Sequence, residues 1–233
     1  MKKIVARVAV LALVAVVLVY GGILLWTKVL HAPDSKLDST DLSRSLDATT
    51  TPDSTGSLGT DVTGMWQISP ESTLGYRVKE VLGGVDTEGV GRTNAVTGSL
   101  TIEGDVLIGA NFTVDVASIS SDSGKRDEKF AGEIMQTVLY PEAAFRLTSP
   151  VTIPEVPVEG DQIEATVTGE LTMHGVTKSV SFPVTAEYSN GRIGVLGNIE
   201  VSFADFGIEN PSNGFVTTGD TGLIEFVLVF DRV

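Results

Sequence analysis

Two short segments carry residues suited to acid–base chemistry. Asp122-Ser123-Gly124 and Asp220-Thr221-Gly222 have the form in which paired aspartates share a proton and activate water. That chemistry needs each aspartate to follow directly on an apolar strand. Ser120-Ser121 and Thr218-Gly219 stand there instead, so both tripeptides read as turns. His174 sits beside Gly175 between two strand patterns, without a nucleophile or carboxylate in a local motif, and reads as a turn histidine. Glu155, Glu159, Asp161 and Glu164 gather acid in one loop, but their spacing is not that of a calcium loop. Gly89-Val90-Gly91 lacks the third glycine and the following helix of a dinucleotide site. Arg126 and Asp127 open a helical pattern; Asp127 suits the helix N-terminus, and Arg126 is a candidate contact for an anionic head group.

Composition narrows the chemistry further. The 233 residues contain no cysteine and two histidines, His31 and His174, which excludes thiol catalysis, thiolate metal sites and a centre built on several imidazoles. Sixteen Lys and Arg face thirty Asp and Glu, a net charge of −14, the wrong sign for nucleic acid as a main partner. No catalytic residue, metal or cofactor is expected.

Charge and hydropathy also divide the chain. Lys2, Lys3 and Arg7 precede an uncharged apolar run over residues 8–26. As a helix this run spans about 28 Å, one hydrocarbon thickness. The expectation is a cytoplasmic tail over residues 1–7 and a single-pass anchor over 8–30, with the bulk of the chain extracytoplasmic. A cleaved signal segment is the rival; the best cleavage site, Leu30-His31-Ala32, has a large residue where a small one is needed. Residues 31–63 are rich in Ser, Thr and Asp and lack aromatics, which predicts a disordered tether. Leu37, Leu42 and Leu46 make a helical stripe within it.

Over residues 64–233 the apolar period becomes two. Ala110, Phe112, Val114 and Val116 form one row, and Ala165, Val167, Gly169, Leu171 and Met173 another. Phe182, Val184, Ala186 and Tyr188 follow, then Val195, Gly197, Ile199 and Val201, then Ile224, Phe226, Leu228 and Phe230. Leu74, Tyr76 and Val78 alternate with Arg77 and Lys79, placing those two cations on a solvent face. Shorter rows hold Val96, Leu100 and Ile102, and Phe145 with Leu147. About eight strands with short turns imply antiparallel sheet, closed as a barrel or stacked as a sandwich. Phe130, Ile134 and Val138 predict one helix over residues 125–140, stopped by Pro141. In a barrel the small inward residues Ala165, Gly169 and Gly197 leave room for a cavity.

Five blocks in order resemble the YceI-like family. They are Trp66-Gln67-Ile68-Ser69-Pro70-Glu71-Ser72, residues 118–127, Tyr140-Pro141-Glu142-Ala143-Ala144-Phe145, residues 169–178 around Met173-His174-Gly175, and Asp205-Phe206-Gly207. The resemblance implies an all-β, eight-stranded antiparallel lipocalin-like barrel that holds a polyisoprenoid or other amphiphilic lipid. The cavity lining expected from strand parity is Leu100, Phe112, Val114, Val167, Leu171, Phe182, Val184, Ile199 and Phe226. The alternatives are an adhesive or stress-related surface scaffold with a filled interior and no bound ligand, or an enzyme acting on an apolar substrate, for which no acid–base pair stands out.

Overall fold

A computed structural model describes residues 2–25, 32–48, 61–153 and 158–233, with side chains from Leu13 onward in the first helix. Trp26, Leu30, His31 and Glu155 lie outside the described residues.

The first helix, α1 (Lys2–Leu25), starts within the expected tail rather than at residue 8. Lys and Arg are good helix formers, and nothing between Lys2 and Val8 interrupts the backbone. Counted over the described residues alone, no helix is long and apolar enough to cross a membrane, so the expected 8–30 anchor is not shown.

The folded unit is an antiparallel barrel of eight staves. Two of them are bent. β1 (Gly64–Ile68) continues past a corner into β2 (Thr73–Leu82), and β3 (Val85–Thr93) continues past Asn94 into β4 (Val96–Glu103). The others are β5 (Val106–Asp115), β7 (Glu142–Leu147), β9 (Gln162–Met173), β10 (Val176–Ser189), β11 (Arg192–Ser202) and β12 (Val216–Arg232). Short strands β6 (Ser120–Ser121) and β8 (Val151–Thr152) pair with β3 and β5. Neighbours follow β1-β4-β5-β7-β9-β10-β11-β12, and β12 returns to β1 through Trp66↔Arg232 and Ile68↔Phe230. β12 closes the ring because it is long enough to pair with β2 between Val216 and Val227 and then with β1 between Phe230 and Arg232. The corner between them is pinned to β12 by Ser72, whose Oγ accepts from Val229 N at 2.9 Å, while Ser69 N donates to Val229 O at 2.8 Å.

The expected helix is cut short. α3 (Gly124–Lys129) runs into a wide turn, Phe130–Ile134, in which Met135 N reaches back five residues to Phe130 O. Gln136 then takes a positive φ of 48°. The wider turn breaks the four-residue repeat, and Val138 is left 95% exposed. Asp127 does not cap this helix; its Oδ1 accepts from Ser121 N and Oγ, tying the helix to β6.

The largest departure from expectation lies in residues 31–63. Residues 32–48 are not a free tether: they form a strap along the outer wall. Within it α2 (Ser39–Asp47) is capped by a reciprocal box, Asp38 accepting from Thr40 N and Asp41 N while Asp41 accepts from Asp38 N. Leu42 and Leu46 are fully buried, and Leu37 nearly so, against Val227 and Val229 of β12. Gly194 of β11 gives α2 its close approach, since a Cβ there would stand 2.6 Å from Leu42 Cδ1. Composition hid this because Leu42 and Leu46, one turn apart in α2, with Leu37 just before its cap, suffice when a matching apolar face already exists.

Arg77 is likewise buried rather than solvent-facing. Its Nε lies 3.2 Å from Glu225, its Nη1 lies 2.6 Å from Glu88, and its Nη2 donates to Asp34 O at 2.7 Å. Arg92 holds the same Glu225 at 2.6 Å and donates to Ser35 O. Burial works against the Arg77 charge, but hydrogen bonds to Glu225 and Glu88 outweigh it and hold the guanidinium above its ordinary value. The outward face of β2 is polar, as its alternation says; the strap covers it at Arg77, while Lys79 stays exposed as expected.

Truncating Leu42 or Leu46 to Ala is expected to cost about 2–5 kcal/mol each in denaturant unfolding. A free tether would give changes within about 0.5 kcal/mol for the same substitutions.

Candidate functional site

The inward faces of the staves enclose two apolar cavities, stacked along the barrel. The first, about 130 Å³, lies toward α3 and the β2–β3 turn, and is walled by Leu74, Val114, Phe130, Met135, Leu171 and Val201 among others. The second, about 140 Å³, lies toward the β4–β5 and β10–β11 turns, beside Leu100, Val167, Phe182, Val184, Tyr188 and Phe226. Phe112 faces both.

An aromatic waist lies between them. Phe112 stacks on Phe145 at 5.3 Å between centroids and tilts against Phe226 at 5.5 Å. Phe182 meets Phe145 edge-on at 5.4 Å and Phe226 at 6.2 Å. Such pairs add about 0.5–1.5 kcal/mol each beyond the area they bury. The waist exists because two inward positions are glycine. A Cβ on Gly169 would overlap the Phe145 ring, and one on Gly197 the Phe226 ring. These glycines do not leave space, as parity alone suggested; they seat aromatic rings on the backbone.

Eight of the nine lining candidates face a cavity. Leu100, Val167, Phe182, Val184 and Phe226 border the second, Val114 and Leu171 the first, and Phe112 both. Ile199 is buried in the core but borders neither. Parity places its side chain inside the barrel, not beside empty volume.

Polar groups gather at the α3 end. Arg126 lines the first cavity there, paired with Asp122 and, at 3.8 Å, with Glu80. Glu80 lies on the same strand parity as Leu74, Tyr76 and Val78, so its inward position was legible in the sequence although only the apolar members of that row stood out. Burial raises the Glu80 carboxyl above its ordinary range, and the Arg126 charge offsets only part of that. Burial also raises the Tyr76 phenol, whose ring stacks on Phe130 at 4.6 Å. Outside this gate a polar cleft of about 570 Å³ is lined by Asp34, Glu88, Arg92 and Ser123 as well as Glu80 and Arg126.

The other chemistry candidates stay apart. His174 has a positive φ of 51° in the β9–β10 turn; its Nδ1 lies 3.1 Å from Phe206 O and its ring meets Tyr140 edge-on. Against a carbonyl, Nδ1 must be the donor, which leaves the buried Nε2 without a partner. Asp122 is held by Arg126 and Asp220 by Asn210 at 2.8 Å, so the two aspartates have separate partners. Glu159 accepts from Asn190 N at 3.2 Å in an exposed loop. Among the described residues no three His, Asp or Glu side chains are grouped to hold a metal ion.

Comparison with known proteins adds a lineage to this geometry. The YceI-like domain family matches residues 66–230. A Pseudomonas putida protein called UPF0312 is 36% identical over 102 residues, 41% of this chain and 50% of that protein. Protein YceI of Escherichia coli O157:H7 is 35% identical over 78 residues, 33% of this chain and 35% of that one. The chain thus spans half or less of the length of these curated relatives. Among solved structures, a polyisoprenoid-binding domain from Saccharophagus degradans aligns with TM-score 0.59 at 16% identity, covering 73% of this chain and 99% of that one. BcnA from Burkholderia cenocepacia aligns with TM-score 0.53 at 21% identity, covering 70% and 98%. Both carry the same barrel fold.

Glu80→Gln is expected to raise the melting temperature at pH 7. A carboxyl whose folded pKa is raised contributes stability below its unfolded pKa and loses it as pH rises through the folded value. The advantage of the variant should therefore vanish below about pH 4, where the native Glu80 is neutral in both states. Melting curves of both proteins across pH 3–8, on the scale of these carboxylate pKa values, check the sign.

Proposed function

The chain belongs to the YceI-like family, and on that premise we propose that it holds the apolar chain of a polyisoprenoid or similar amphiphilic lipid inside the barrel. In the same proposal α1 tethers the protein to the cell membrane, with its N-terminus cytoplasmic and the barrel extracytoplasmic. No catalytic step belongs to this reading. The observation that carries it is the pair of apolar cavities stacked on one axis inside a closed wall. An extended hydrocarbon fits that shape, and each CH₂ moved out of water contributes about 0.8 kcal/mol. The polyisoprenoid-binding domain of Saccharophagus degradans, which shares the fold, points the same way.

Two features refine the proposal. Neither cavity alone reaches the roughly 300–1,000 Å³ of an ordinary ligand pocket. A long chain therefore needs Phe112 to turn aside and join them. At the polar end Arg126 is already held by Asp122 and Glu80, within a cleft that also contains Asp34 and Glu88. It offers little unpaired positive charge, which suits an uncharged polar head better than an anionic one. The filled waist also favours a second reading, a packed scaffold without cargo, because Phe145 and Phe226 occupy the space that glycine would otherwise leave.

Organic extraction and mass spectrometry of protein purified without detergent, alongside melting temperatures, separate the two. For a lipid carrier, lipid copurifies, and Val167→Phe sheds it while keeping wild-type stability. Phe112→Ala opens the waist and accepts longer chains. For a scaffold, no lipid is recovered and Val167→Phe loses about 1–3 kcal/mol through overpacking. Thr166→Val, on the exposed face of the same strand, changes neither quantity and serves as the control.

A further inference from the structure

The docked strap limits how far the barrel can stand from α1. It begins at one rim and ends near the other. Ala32 and Pro33 lie beside Glu80, Leu82 and Val216, at the rim formed by the β2–β3 turn and the β11–β12 connection. Asp34 and Ser35 then accept from Arg77 and Arg92 midway along the wall. Leu42 and Leu46 follow on β12, and Asp47 Oδ1 accepts from Asn190 in the β10–β11 turn at the opposite end. The expected tether had about thirty residues of slack. With the strap docked, only residues 26–31 separate Leu25 from Ala32, and they reach at most about 25 Å when fully extended.

The rim where the strap begins also receives the end of α1. Tyr20 Oη donates to Gly84 O at 3.5 Å. A Cβ built on Gly83 would stand 3.1 Å from Ile23 Cδ1 and 3.6 Å from the Phe215 ring, which puts both side chains at the β2–β3 turn. Gly83 N also donates to Phe215 O at 3.2 Å. Apolar side chains crown this rim without protein cover: Phe215 is 62% exposed, and Val138 and Leu139 stand out from the segment after the wide helical turn. Tyr140, which follows them, meets His174 in the β9–β10 turn, so this segment belongs to the same end of the barrel. The first cavity lies behind it, bordered by Phe203, Ile208 and Pro211 of the β11–β12 connection.

We propose that this rim rests on the lipid surface, with Phe215, Val138 and Leu139 immersed at the headgroup level. The strap acts as the spacer that keeps it there. An apolar ligand then passes between bilayer and cavity without crossing water. The inference rests on the tethered, lipid-holding reading above and adds to it an orientation, a contact surface and a route. Charge does not argue for an electrostatic dock, since thirty acids outnumber sixteen bases along the chain. The commitment is to apolar contact with a bilayer, held close by a short connection.

The natural absence of cysteine allows single-site labelling of the full chain. Variants Val14→Cys in α1, Phe215→Cys and Leu139→Cys at the rim, and Ile108→Cys at the far end each carry an environment-sensitive fluorophore. Each is reconstituted in phosphatidylcholine vesicles containing a lipid-borne quencher. The expected result is strong quenching at Val14, Phe215 and Leu139, and little at Ile108. Leu42→Asp, which drives α2 off the wall and restores a long tether, should lower quenching at Phe215 toward the Ile108 level while leaving Val14 quenched. Quenching at Val14 with none at Phe215 or Leu139 overturns the docked rim and leaves the tether intact. Quenching at Phe215 that survives Leu42→Asp unchanged overturns the role given to the strap. An unquenched Val14 removes the tether, and the inference with it. A quenched rim on protein that yields no extractable lipid supports the docking while defeating the cargo.

Discussion

Over residues 225–230 β12 is buried on both faces, and the rest of the molecule depends on that. Its inward residues, Phe226, Leu228 and Phe230, complete the wall around the cavities. Its outward residues, Glu225, Val227 and Val229, would face water in a bare barrel, yet all three are at most 1% exposed. Seventeen residues long, β12 pairs with β11 along one edge and with β2 and then β1 along the other. Closure removes the open edges that an eight-stave sheet would otherwise present. An outer face so rich in Val needs a cover, and residues 32–48 supply it.

The cover works through two kinds of contact. Leucines of α2 take the valines, and the backbone carbonyls of Asp34 and Ser35 accept from the arginines that hold Glu225. The buried carboxylate is tolerated because two guanidiniums neutralise it, while the Glu88 carboxylate and the carbonyls of Asp34 and Ser35 accept further hydrogen bonds from those guanidiniums. Desolvating an isolated charge would cost several kcal/mol. Strap and barrel thus share one buried interface, although they differ sharply in composition.

Inside, the same economy of shape applies in reverse. Four phenylalanines from β5, β7, β10 and β12 meet at mid-barrel over two glycines, and the interior divides into two small volumes instead of one long one. A ring whose packing depends on van der Waals contact with its neighbours can be displaced by an apolar chain offering similar contact. A ring locked by hydrogen bonds could not be displaced so cheaply. The polar gate of Glu80 and Arg126 stands only at the α3 end, so the two ends of the barrel differ in chemistry.

Strand parity in the sequence determined much of the wall. Val167, Leu171, Phe182 and Phe226 face inward because a pleated strand alternates its side chains, and no tertiary contact reverses that. The same rule placed Glu80 inward, readable in principle beside Leu74, Tyr76 and Val78. Parity says which face a residue takes, but not what lies against that face. Hence Gly169 and Gly197 looked like space and proved to be seats for Phe145 and Phe226. Ile199 is inward and borders no cavity, and Arg77 is outward and buried. The leucines of α2 show the same limit. Their stripe was visible, but a nine-residue helix is too short to hold itself in water, so only the valine face of β12 decided that it forms. Local pattern fixes direction because it follows from backbone geometry. Burial and open volume are decided by elements far apart in the chain, which the sequence lists but does not bring together.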